Sequence, residues 1–157
     1  MNVEYMESNG ATRVPIYISA LDGKKMQRVP FLFDTGATRT TINKIVLPTL
    51  GYTDEWISEN KIALSLEEKP TLADGRKLDA YGIPALKLTI GMHEVHHTDY
   101  FLTSDAAPKL GFLLGADILS YFDVFFKYSE RRTYYEFRKD RVLHQAKPGD
   151  TFAYNVS

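Results

Sequence analysis

The chain has 157 residues, enough for one domain with a genuine core, and its 44% hydrophobic and 25% charged residues match an ordinary globular protein. A formal net charge of -1 with scattered basic residues argues against a nucleic-acid footprint, and the lack of cysteine excludes disulfides, Cys-ligated zinc and a thiol nucleophile. No run of about eighteen apolar residues is present to span a membrane. The mixed, acidic N-terminus offers no apolar stretch for a signal peptide, so the expected location is the cytoplasm.

Taken in order, residues 1–12 are polar and aperiodic, include Asn9-Gly10, and read as an N-terminal tail or edge strand. From Val14 the dominant period is two: Val14, Ile16, Ile18 and Ala20 alternate with Pro15, Tyr17 and Ser19. Asp22-Gly23 supplies a hairpin turn, and the return strand from Met26 to Phe33 ends in the apolar run Val29-Pro30-Phe31-Leu32-Phe33. A short helix is predicted from Asn43, its cap, to Leu50, with Gly51 as its stop and Pro48 limiting its length. A second helical turn is predicted from Thr53 to Glu59. Leu86, Leu88 and Ile90 alternate before Gly91, and Val95 to Leu102 reads as one strand rich in β-branched and aromatic residues. A third helical turn follows Gly115, from Ala116 to Tyr121. Phe122, Val124, Phe126 and Tyr128 form another alternating strand, and Thr133 to Phe137 pairs with it as a hairpin. The pattern predicts an all-β domain over 13–144 with one to three short helices, followed by a C-terminal tail or edge segment over 145–157. Tyr52, Trp56 and Tyr81 are aromatic residues of the kind that fill a core more often than they line a groove, and are assigned no role.

The stretch that carries chemistry is Phe31-Leu32-Phe33-Asp34-Thr35-Gly36-Ala37-Thr38. Three apolar residues deliver the Asp34 carboxylate to the end of a buried strand, where it is costly unless hydrogen-bonded. Gly36 permits a tight turn and a close approach of amide N–H groups, and Thr35 adds a hydroxyl that both donates and accepts. The plain alternative is a strand-to-turn junction with a satisfied Asp. Asp117 stands where the first turn of a helix favours an acid, and is read as structural.

These residues resemble the active-site loop of the retropepsin-like aspartic proteases, which reads Asp-Thr-Gly-Ala after an apolar strand. Two further pieces follow in that family's order. Leu72-Ala73-Asp74-Gly75-Arg76 is similar to the tip of the flap hairpin that closes over substrate, although Asp74-Gly75 is also a plain hairpin turn. Leu113-Leu114-Gly115-Ala116-Asp117-Ile118-Leu119 is similar to the hydrophobic-hydrophobic-Gly motif that leads into a short C-terminal helix. The resemblance covers roughly residues 13–138. It implies a closed barrel of antiparallel strands with a flap hairpin, and Asp34 as the catalytic acid supported by Thr35, Gly36 and Ala37. By the same resemblance Thr35 hydrogen-bonds across a two-fold axis, Ala37 lines the substrate groove, and Ala73, Asp74, Gly75 and Arg76 lie over the substrate. Only one such acid is present per chain, so a complete site implies a homodimer. Retroviral members place an Arg that helps tie their dimer together where this chain has Ala116.

The implied activity is that of an aspartic endopeptidase acting on a peptide or protein substrate, with no metal, organic cofactor, nucleic-acid or membrane partner. The alternative from another class is a peptide-binding or dimerisation module that keeps the fold without turnover. A competing motif, His93-Glu94-Val95-His96-His97, formally satisfies the zinc-peptidase pattern H-E-x-x-H. That pattern chelates one ion only on a helix. On the strand expected here, residues four apart are separated by about 13 Å, so no metal site is assigned.

Overall fold

The computed structural model describes residues 1–96, 99–105 and 110–138. In chain order the first half forms β1 (Asn2–Tyr5), β2 (Arg13–Ala20), β3 (Met26–Phe33), α1 (Val46–Thr49), α2 (Asp54–Asn60) and β4 (Ile62–Ala63). The second half forms β5 (Ala80–Ile83), β6 (Leu86–Ile90), β7 (His93–His96), β8 (Phe101–Ser104), β9 (Leu113–Leu114), α3 (Ala116–Leu119), β10 (Phe122–Lys127) and β11 (Arg132–Phe137).

The hairpin demanded by the alternation and the Asp22-Gly23 turn sits at the centre. β2 and β3 pair antiparallel from Arg13↔Leu32 to Ser19↔Met26, which sends Val14, Ile16, Ile18, Val29, Phe31 and Phe33 to one buried face. β6 adds to the free edge of β2, and β7 to β6. On the other side, β9 pairs with β3 through Leu32↔Leu113 and Phe33↔Leu114. The segment 40–42 then runs between β9 and β8, because Thr41 bridges both Leu113 and Leu102. β8 pairs with β5, and β5 with β4.

The result is a curled sheet running from β7 to β4, a half-barrel whose two end strands do not pair among the described residues. It differs from the closed antiparallel barrel expected from the sequence. The β3–β9 pairing is parallel, and β4 and β9 have two residues each, too few for the tilt and stagger that closure requires. The strands β1, β11 and β10 form a second, antiparallel sheet in that order. Its inward residues Phe122, Tyr135, Val124, Phe126 and Phe137 pack on the main core. Phe33 meets both Tyr135 and Phe126 edge-on, with ring centroids 5.4 and 6.5 Å apart. The residue before Asp34 is therefore wedged in an aromatic cluster.

Two local expectations change. The run from Val95 to Leu102 is not one strand: β7 pairs with β6 and β8 with β5, so the chain must change partners between them. The same break separates β5 from β6, at Pro84, which has no N–H to give, and at Ala85, whose φ is 64°. The first helix is a single turn without a side-chain cap, because Asn43 Oδ1 accepts from the Ile45 N–H and closes a turn ahead of it. α2 does start as its sequence suggests, with the Thr53 hydroxyl accepting from the Trp56 N–H at 3.0 Å. Tyr52 and Tyr81 are buried, and Trp56 packs against Tyr52 at 4.6 Å.

Candidate active site

Asp34 follows the last residue of β3, and its loop is held by backbone on both sides. The Asp34 N–H donates to the Leu114 carbonyl at 3.1 Å, and the Phe33 N–H to the Thr12 carbonyl at 2.9 Å. Beyond the turn, the Ala37 N–H returns to the Asp34 carbonyl at 3.1 Å. The Gly36 N–H donates to Asp34 Oδ1 at 3.0 Å, the amide contact that the Asp-Thr-Gly order anticipates. The carboxylate is half-buried, whereas Thr35 and Gly36 are exposed. The loop thus presents an acid at its base and two uncovered residues at its tip.

The turn at Gly36 brings its N–H to the carboxylate as expected, but it is not a turn that only glycine can make. Its backbone is not left-handed, and a Cβ there would meet Asp34 Oδ1 at 3.4 Å, an ordinary contact. Nothing among the described residues forbids a side chain at this position. Gly115, in contrast, is a glycine that the fold itself requires. A Cβ on it would lie 2.5 Å from the Arg39 carbonyl carbon, inside the backbone of the same loop.

That close approach lets α3 dock end-on. The Ala116 N–H donates to the Ala37 carbonyl at 2.8 Å and the Asp117 N–H to the Thr38 carbonyl at 3.3 Å, so the loop satisfies donors that a helix start otherwise leaves open. Asp117 completes the joint. Its carboxylate accepts from the Thr40 N–H at 3.0 Å, from the Thr40 hydroxyl at 2.7 Å and from the Ile118 N–H at 2.9 Å. The Thr40 hydroxyl in turn accepts from the Gly115 N–H at 3.1 Å. Thr40 is fully buried, so its N–H and hydroxyl have lost water and depend on these partners. Asp117 is indeed structural, yet what it braces is the Asp34 loop more than its own helix. Thr40 was missed in the sequence; its signal is a pair of threonines entering the apolar position Ile42.

Ala73, Asp74, Gly75 and Arg76 form a separate hairpin tip. The Leu72 N–H donates to the Arg76 carbonyl at 2.7 Å, Thr71 bridges Lys77, and Gly75 takes a φ of 86° that favours glycine. Asp74 accepts from the Arg76 N–H at 3.0 Å, and this bond, aided by the guanidinium, holds its carboxyl below the usual range. Among the described residues, no hydrogen bond or ion pair joins the tip directly to the Asp34 loop. A chain of contacts links their bases instead. The Arg39 guanidinium lies 4.4 Å from the Tyr100 ring centroid and pairs with Asp99 at 3.0 Å. The Tyr100 hydroxyl donates to Glu68 at 2.7 Å, and Ser65 caps the other oxygen of Glu68. Hydrogen bonds from Tyr100 and then Ser65 lower the Glu68 pKa from its ordinary 4.5. Arg39, Tyr100 and Glu68 also escaped the sequence reading, since they are remote along the chain and share no motif.

Beside Thr35 lies a groove of about 310 Å³, lined by Ala116, Leu119, Phe122, Val124 and Phe126. The zinc-like run does not assemble a chelate among the described residues. His93 and His96 are on β7 and His97 lies outside the described residues. No cluster of three or more metal-ligating side chains occurs among the described residues, nor is any helix there long and apolar enough to cross a membrane.

No protein-family model matches the chain, and no curated protein matches it in sequence. Among solved structures it is similar to a retropepsin-like aspartic protease from Rickettsia conorii. The TM-score is 0.50 and the identity 16%, with 85% of this chain and 90% of that one covered. The fold is retropepsin-like. At that identity the likeness is one of fold alone, so any role for Asp34 rests on the loop's own chemistry.

Two variants test this description of the loop. Asp117→Ala strands the buried Thr40 donors and is expected to cost about 2–3 kcal/mol of stability; Asp117→Asn keeps one acceptor oxygen and costs less. Urea unfolding followed by the single tryptophan measures both. Glu68 has a lowered folded pKa, so its contribution is complete above its unfolded value and is lost as pH falls through the folded one. The melting-temperature gap between wild type and Tyr100→Phe is therefore expected at neutral pH and shrinks as Glu68 protonates below pH 4.5.

Proposed function

We propose that the chain is one half of an aspartic endopeptidase, in which the Asp34 carboxyls of two copies meet across a two-fold axis and hydrolyse a peptide bond. The observation that carries this reading is the Asp34 loop itself: a half-buried carboxylate at the end of a buried strand, behind an exposed Thr35-Gly36 tip, on a retropepsin-like fold. Each chain supplies one such acid, and the chemistry needs two.

In aspartic proteases a pair of Asp carboxyls shares one proton, because like charges about 3 Å apart cannot both ionise. The ionised member takes a proton from a water held between them. The protonated member donates to the carbonyl oxygen of the scissile bond as the water adds to its carbon. The two carboxyls titrate as a unit, so activity at acidic and near-neutral pH is equally compatible with the arrangement. The reaction calls on neither metal nor organic cofactor.

The other residues take supporting roles in this proposal. Thr35, exposed in the single chain, hydrogen-bonds to its counterpart and holds the two loops together. Gly36 lacks a side chain for the sake of what comes from outside, since the chain's own backbone leaves room for one. Ala37 lines the substrate groove, and Ala73, Asp74, Gly75 and Arg76 cover the substrate and exclude water. The apolar groove of β10 and α3 beside Thr35 is where the second copy seats, doing without the Arg that retroviral members have at the place of Ala116.

Incubation with a diverse peptide library, read by mass spectrometry, tests the proposal. Asp34→Asn is expected to abolish cleavage with an unchanged unfolding midpoint. Gly36→Ala is expected to keep stability or gain up to about 1 kcal/mol, yet lose about 100-fold in cleavage through misplacement of the reacting groups. Cleavage by Asp34→Asn at the wild-type rate would contradict the assignment. A wild-type dimer that cleaves nothing would favour a peptide-binding module on the same fold.

A further inference from the structure

The sheet of β1, β11 and β10 turns one face away from the core. Strand alternation puts Val3 and Tyr5 of β1, Arg132, Tyr134 and Glu136 of β11, and Asp123, Phe125 and Lys127 of β10 on that face. The register sorts them into rows running across the strands. Asp123 is opposite Glu136; Phe125 is opposite Tyr134, which is opposite Val3; Lys127 is opposite Arg132, which is opposite Tyr5. One end of the face is acidic, the middle is apolar and the other end is basic. Val3, Tyr5 and Phe125 are 50%, 75% and 60% exposed. A concavity of about 350 Å³ opens along Phe125, Tyr134 and Glu136. Neighbouring groups soften both ends without reversing them. Arg138 lies 4.0 Å from Asp123, the Met1 end of β1 lies beside Glu136 along the same concavity, and Glu130 pairs with Lys127 at 3.0 Å.

We propose that this face docks a second copy of the chain, sheet on sheet, about a two-fold axis lying along the apolar row. The charges select that axis. Rotation about it lays each acidic row on the other copy's basic row and sets the row of Val3, Tyr134 and Phe125 upon itself, as an isologous contact requires. Rotation about the strand direction would instead stack acid on acid and base on base, which is penalised. Stacked sheets sit about 10 Å apart, a gap that Tyr and Phe side chains fill. Three strands of about five residues offer a footprint of roughly 250 Å², well below the roughly 800 Å² per partner of a standard interface. The association is therefore weak and sensitive to salt. It uses the opposite face of β10 from the groove beside Thr35, so it does not rest on the peptidase reading and is compatible with an Asp34 pair.

The absence of cysteine makes a direct test practical. Phe125→Cys, in the apolar row, is treated with a short bis-maleimide at high chain concentration and compared with Met92→Cys, at a residue 95% exposed on the β6–β7 turn. At low salt, covalent dimer is expected to form about tenfold faster at position 125, reflecting a raised effective concentration. High salt is expected to erase the difference. Adding Lys127→Glu with Arg132→Glu removes the advantage, as does adding Asp123→Lys with Glu136→Lys, and mixing the two charge variants restores it. Equal rates at positions 125 and 92 overturn the proposal, and so does a fast rate at 125 that ignores both charge variants. Slow labelling of Phe125→Cys by a monofunctional maleimide, without cross-link, would assign the face to another part of the same chain and overturn it too.

Discussion

A carboxylate at the end of an apolar strand creates a problem of backbone accounting, and the architecture around it follows from the solution. Phe31, Leu32 and Phe33 bring Asp34 to the edge of the core, where every N–H and C=O needs a partner. The two-residue strand β9 meets that need by running between the arms of the loop. Leu32 and Phe33 pair with it on one side and Thr41 on the other. A parallel pairing at this point is what allows the Leu114 carbonyl to take the Asp34 N–H. The curl of the sheet, the end-on docking of α3 and the requirement for Gly115 all serve to hold β9 in that slot.

The loop is consequently rigid at its base and open at its tip. Thr40, Asp117 and Gly115 are joined by hydrogen bonds beneath it, while Thr35 and Gly36 face solvent. Such a division suits a site completed from outside: precise placement of the acid comes from buried groups, and access comes from the uncovered tip. Arg39, one residue before Thr40, carries the connection outward to Tyr100 and Glu68 at the base of the hairpin proposed as a flap. Acid loop and hairpin stem therefore share a scaffold even though their tips do not touch.

Much of this was legible in the sequence wherever one face of an element meets water. Val14 to Phe33 alternates and carries Asp22-Gly23 at its turn, so β2 and β3 emerge with their bounds almost unchanged. Asp74-Gly75 announces its turn in the same way. What escaped has tertiary causes. β5 is buried on both faces and contains Gly82, so it has no period to read. β9 is two residues long, and its parallel partner lies about eighty residues earlier, beyond any local signal. The run from Val95 to Leu102 has the composition of one strand, but its halves pair with different neighbours. Within the site, the Asp-Thr-Gly order was visible because it is contiguous, whereas Thr40 and Asp117 meet only through folding.

The central claim is that two Asp34 residues, one from each of two chains, make one site. Mixing wild-type with Asp34→Asn chains at equal amounts and constant total concentration tests it directly, because random pairing leaves about one quarter of dimers with two carboxyls. The account predicts that peptide cleavage falls to about one quarter of the all-wild-type rate. A fall to one half, as expected if each wild-type chain worked by itself, would contradict it.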